Sequence, residues 1–119
     1  MKKILVIDDD ETLRDVYSLI LEDTFEVHLA EDGQEGVEAF ERVQPDLVFL
    51  DLKMPRMNGV EALKAIRAMD ASTPVYIVTA FAKEFMDQLL EAQELGLEFQ
   101  IANKPLSDDQ IMMIAEMYT

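Results

Sequence analysis

The sequence predicts a doubly wound α/β fold, with five parallel strands and helices on both faces of the sheet. Two observations carry that reading. Short apolar runs alternate, five times over, with segments whose apolar residues recur at helical spacing. The third run, Leu47-Val48-Phe49-Leu50, is apolar at every position, as a strand buried on both faces must be. At 119 residues, half of them apolar, the chain can bury one real core, and residues 1–119 are read as a single domain.

Lys3–Ile7 reads as the first strand, followed by a helix whose stripe is Leu13, Val16, Tyr17, Ile20 and Leu21. Phe25–Leu29 is the second strand. A turn at Glu31-Asp32-Gly33 leads to a helix with Val37, Phe40 and Val43, stopped by Pro45. After the third strand, Asn58-Gly59 opens a helix carrying Val60, Leu63 and Ile66, and Thr73-Pro74 punctuates it. Val75–Val78 is the fourth strand, and Phe85, Leu89 and Ala92 mark a helix ending near Gly96. Phe99–Ala102 makes a shorter fifth strand. Ser107 then caps a last helix with Ile111, Ile114, Ala115 and Tyr118 inward. Tyr17 and Tyr76 read as core, and His28 as an ordinary strand residue.

Composition excludes several chemistries. Without cysteine there are no disulfides, thiolate zinc sites, iron–sulfur clusters or cysteine nucleophiles, and one histidine cannot build a histidine cage. The longest apolar runs fall far short of the ~18 residues of a membrane span, and the first is too short for a signal peptide. A cytoplasmic location without membrane contact is expected. A net charge of −15 disfavours direct binding of nucleic acid. From Glu84 to Thr119 there are eight acidic residues and one basic one, Lys104. Such a face is solvated, or docks a basic partner.

In doubly wound sheets, ligands sit beyond the carboxyl ends of the strands, where strand order reverses. The first strand ends in Asp8-Asp9-Asp10, the third in Asp51, the fourth in Thr79, and the fifth runs into Asn103-Lys104. One rim thus collects carboxylates, a hydroxyl and an ammonium. Two carboxylates ~4 Å apart repel by about 4 kcal/mol at an effective dielectric of ~20, which a divalent cation relieves. All-oxygen ligands point to Mg²⁺ or another hard ion. A metal, a carboxylate nucleophile, a hydroxyl and a lysine are the parts that phosphoryl transfer uses.

Over essentially its whole length the chain resembles the receiver domain of two-component response regulators, such as the chemotaxis receiver. The matching pieces are Ile4 to Asp10, Phe49 to Gly59 with its Asp-x-x-Met-Pro-x-Met-x-Gly pattern, Val78-Thr79-Ala80 and Lys104-Pro105. The resemblance implies a flavodoxin-like strand order, 2-1-3-4-5, and a phosphoacceptor signalling module that assists its own phosphorylation and dephosphorylation but is not otherwise an enzyme. Asp51 would receive the phosphoryl group from a sensor histidine kinase or phosphotransfer protein. Asp9, Asp51 and the backbone carbonyl of Lys53 would bind Mg²⁺, and Asp8 would act through a bound water. Thr79 and Lys104 would each meet a phosphoryl oxygen, a cis Lys104-Pro105 bond aiming the lysine. Phosphorylation would switch the surface around the last two helices toward a downstream effector protein or domain. Asp10 would lie outside the metal shell, as a loop residue or cap.

The match has departures. Ile101 stands where the family usually carries an aromatic, Phe99 lies two residues earlier, and the Gly96-to-Lys104 spacing is one residue longer than is common. Lys53 and Phe81 occupy positions resembling the family's tuning points for hydrolysis. Met112, Met113 and Met117 offer an adaptable patch for a partner or homodimer, or one fills core while the others meet solvent. A rival reading takes Asp8-x-Asp10-x-Thr12 as the loop of a haloacid-dehalogenase-type phosphatase, with Asp8 as nucleophile and Asp10 as general acid/base. Another is a receiver-like interaction module that is never phosphorylated.

Overall fold

The computed structural model describes residues 1–119. Five strands and five helices alternate along it: β1 (Lys3–Ile7), α1 (Glu11–Leu21), β2 (Glu26–Ala30), α2 (Gly33–Val43), β3 (Leu47–Leu50), α3 (Gly59–Met69), β4 (Val75–Thr79), α4 (Met86–Glu94), β5 (Gln100–Asn103) and α5 (Asp108–Tyr118). All strand pairs are parallel, in the order β2-β1-β3-β4-β5. No helix is long and apolar enough to cross a membrane.

The alternation of side chains along each buried strand divides the core in two. Leu5, Ile7, Val48 and Leu50 face one way and meet Phe40 of α2, Leu63 and Ile66 of α3, and Leu89 of α4. Ile4, Val6, Leu47 and Phe49 face the other way, under Tyr17 and Leu21 of α1 and Ile111 and Ile114 of α5. Tyr17, Phe49, Tyr76 and Tyr118 form a continuous aromatic stack in this second layer, with successive centroids 5.0, 6.4 and 5.6 Å apart. Tyr17 is core as expected, whereas Tyr76 is only half-buried.

Local chemistry starts each helix where the sequence indicated, with one exception. Asp10, Asp32, Asn58 and Ser107 are N-caps whose side chains accept backbone N–H bonds, and the last two complete capping boxes. Helix α4 begins without a side-chain cap after Phe85, which is buried instead. Strands β2 and β5 each start one residue later than the apolar pattern predicts. Phe25 packs beneath α1 and Phe99 against the α2–α4 layer before their ladders begin. On α5, Met112 packs on the core while Met113 and Met117 are exposed.

Candidate functional site

Strand register builds the site. Ile7 pairs with Leu50 across β1 and β3, so Asp8 and Asp51 leave the sheet side by side at its carboxyl edge. Their backbone N–H groups extend the ladder by one rung, Asp8 donating to the Ala30 carbonyl and Asp51 to that of Ile7. Thr79 closes β4 opposite Asn103, which places Lys104 on the same rim, and the Lys104-Pro105 bond is cis.

Carboxylate oxygens of Asp8, Asp9 and Asp51 lie within 4.8 Å of one another. Asp8 and Asp51 are buried, and Asp9 is exposed on the open side. Lys104 Nζ lies 3.0 Å from Asp8 Oδ2 and 3.1 Å from Asp51 Oδ2. The other oxygens accept backbone N–H bonds, Asp8 Oδ1 from Asp10 at 2.9 Å and Asp51 Oδ1 from Leu52 at 2.7 Å. Burial pushes the Asp8 pKa up; the Asp10 N–H and Lys104 oppose that rise, and the charge of Asp51 adds to it. Burial alone would lower the pKa of Lys104, but its two carboxylate partners outweigh it and hold the ammonium above its usual range. Under the site, Tyr17 is raised by burial and by the charges of Asp8 and Asp51.

The donor set is oxygen-only and carries three negative charges against one lysine, which fits a hard divalent cation and no softer one. The backbone around it is tightly specified. A Cβ on Gly59 would run into the Asp51 carbonyl oxygen, so only glycine lets α3 start this close to the site.

The remaining expected residues are placed differently. Thr79 is fully buried, and its hydroxyl accepts the Phe81 N–H at 3.0 Å. The Lys53 ammonium turns away from the carboxylates, 4.6 Å from the Phe81 ring centroid and 3.4 Å from Glu84. Asp10 caps α1, its Oδ1 accepting the Thr12 and Leu13 N–H groups. Ile101 is exposed on the edge strand. Two contacts had no sequence signal, being fixed only by tertiary packing. Arg14 Nη1 donates to the Asp8 carbonyl at 2.9 Å, and Arg56 pairs with Asp32 at 2.7 Å.

Comparison with known proteins agrees with this geometry. The family model for the response regulator receiver domain matches residues 4–116. The chain is 32% identical over 117 residues to the regulatory protein AtoC of Escherichia coli, covering 98% of this chain and 25% of that protein. It is 34% identical to the chemotaxis protein CheY of Halobacterium salinarum, covering 93% of this chain and 91% of that protein. The chain therefore spans a quarter of one relative and nearly all of another. Among solved structures, the chemotaxis protein CheY4 of Vibrio cholerae superposes with a TM-score of 0.84 at 26% identity, covering 100% of this chain and 99% of that one.

Proposed function

Because the chain belongs to the response regulator receiver domain family, whose members are phosphoacceptor signalling modules, we propose that Asp51 is the residue that accepts the phosphoryl group. The reading rests on the cluster of Asp8, Asp9 and Asp51 with Lys104 bonded into it at the carboxyl edge of the sheet. An oxygen of Asp51 attacks the phosphorus of a phosphohistidine on a sensor kinase or phosphotransfer protein. The phosphorus–nitrogen bond breaks with its electron pair leaving on the imidazole, and an acyl phosphate forms.

Lys104 already sits beside Asp51 and balances charge arriving on the phosphoryl oxygens. The Thr79 hydroxyl turns from accepting the Phe81 N–H to donating to another phosphoryl oxygen. Asp9, Asp51 and the Lys53 carbonyl would hold Mg²⁺, with Asp8 acting through a water. When bound, the ion neutralises the carboxylates and the transferring group.

Residues 1–119 act as one cytoplasmic receiver domain whose output is partner binding, not turnover of a metabolite. The surface around α4 and α5 carries that output toward an effector protein or domain. Its exposed Met86, Leu90, Met113 and Met117 and its excess of acids support this assignment over contact with nucleic acid. A second copy of the chain is the other occupant this surface suits.

The test is intact-protein mass after incubation with acetyl phosphate, with and without Mg²⁺, for wild type, Asp51→Asn and Asp8→Asn. One Mg²⁺-dependent phosphoryl adduct, lost in Asp51→Asn, is expected. Phosphate release that needs Asp8 and not Asp51 would instead mark a phosphatase. No adduct at all would leave an interaction module.

A further inference from the structure

Between β3 and α3 the chain crosses from Lys53 to Asn58 with few backbone ties. From Lys53 to Arg56 no backbone amide or carbonyl is hydrogen-bonded outside the loop, whose only internal bond runs from the Met57 N–H to the Pro55 carbonyl. Met54 and Met57 rest on the core, which seats the loop without orienting its peptide groups. Its strongest polar anchor is one side chain. Arg56 Nε donates to Asp32 Oδ2 at 2.9 Å, across 24 residues of sequence, and Nη2 forms an ion pair with the same oxygen at 2.7 Å.

The Arg56–Asp32 pair is specified from both ends. Asp32 is buried, and its other oxygen caps α2 by accepting the Glu35 N–H at 2.9 Å. The cap therefore fixes where the carboxylate points. Arg56 has a φ of 67°, in the left-handed region that non-glycine residues rarely adopt. A strained backbone at an otherwise exposed position persists where surrounding contacts hold it. Here the contact is a charge-assisted hydrogen bond and ion pair to one oxygen of a largely desolvated carboxylate. Beside it, a Cβ on Gly33 would strike the Met57 carbonyl oxygen, so the loop lies directly on the first turn of α2.

We infer that Arg56 and Asp32 form a latch, fixing the β3–α3 loop on α2 so that the Lys53 carbonyl is presented to the metal site before the metal arrives. The inference rests on the metal-binding reading above. Arg56 and Asp32 are positioning residues that touch neither metal nor phosphoryl group. Preorganising one ligand lowers what the ion must spend on ordering the loop. Without the latch, the carboxylates are unchanged but the carbonyl must be captured from a wider ensemble.

Two variants separate the latch from the fold. Asp32→Asn keeps a good helix cap and removes the charge; Arg56→Gly removes the guanidinium and relaxes the positive φ. Both are measured by amide hydrogen exchange of residues 53–58 in metal-free protein, by thermal melting, and by calorimetric titration with Mg²⁺. The expected result is faster exchange confined to the loop, little change in melting, and Mg²⁺ affinity weakened about tenfold in each. The double variant should weaken no further than the worse single one. Loop exchange like that of wild type, or faster exchange with Mg²⁺ affinity unchanged, overturns the latch while the metal site stands. A wild-type protein that binds no Mg²⁺ overturns the metal site and the latch with it.

Discussion

Lys104 Nζ lies 3.0 Å from Asp8 Oδ2, with only 18% and 4% of the two side chains exposed. This contact sets the charge balance of the site, because Lys104 is the one cation bonded to carboxylates that otherwise repel. Lys104→Met should therefore destabilise metal-free protein at neutral pH by about 2 kcal/mol, below the value for a fully buried pair because the lysine keeps some solvent. Adding Asp8→Asn should recover much of that loss. Denaturant melts of the two variants check it, and an unchanged midpoint in Lys104→Met would show that water screens the pair.

The same repulsion predicts a response to metal. Mg²⁺ at about 100 times its dissociation constant should raise stability by about 2.7 kcal/mol. Asp9→Asn should raise the melting temperature of the metal-free protein while abolishing most of the Mg²⁺ effect. Sodium chloride at matched ionic strength separates specific binding from screening. Flat melting curves in all of these would mean that no metal binds.

Gly59 is the most sensitive backbone position near the site. Gly59→Ala forces a Cβ against the Asp51 carbonyl, so β3 or the start of α3 must shift. A loss of about 1–3 kcal/mol is expected, with phosphorylation slowed more than in an exposed Gly96→Ala control, where the strain comes from φ alone and the Cβ meets open space. Melting together with the rate of adduct formation tests this.

Asp70, at the end of α3, gives a pH dependence remote from the site. Its carboxylate accepts bonds from the backbone and hydroxyl groups of Ser72 and Thr73, which hold its pKa well below the usual range. The folded pKa is depressed, so its stabilisation is fully present above the unfolded value near 3.8 and is lost as pH falls toward the folded one. Asp70→Asn should be less stable than wild type at pH 7, and the gap should close below pH ~4. Melting midpoints across that range decide it.

The parts of the molecule legible in the sequence are those where burial writes a repeating pattern. The runs Ile4–Ile7 and Leu47–Leu50 lie in central strands covered on both faces, and their apolar signal coincides with their ladders. The edge strands are less legible. β5 exposes most of Gln100–Asn103, so its apolar signal comes mainly from Phe99, which packs against helices and lies outside the ladder. The acidic rim was legible because topology alone carries strand-end residues to one edge. The Arg56–Asp32 pair was not, since it joins two turns through a backbone conformation that no residue pattern encodes.

The aromatic stack has an optical consequence. The chain contains no tryptophan and three tyrosines, and all three (Tyr17, Tyr76 and Tyr118) belong to the stack between the sheet and helices α1 and α5. Intrinsic tyrosine emission thus comes from one side of the sheet only. Tyr17 lies close enough to Asp8 and Asp51 to feel their charges, while Tyr118 stands at the far end of the stack, in the last turn of α5. Unlabelled protein is therefore its own fluorescent reporter. A shift in tyrosine lifetime or anisotropy when charge changes at the rim would report on the α1–α5 layer, and the α2–α4 layer would add no tyrosine signal.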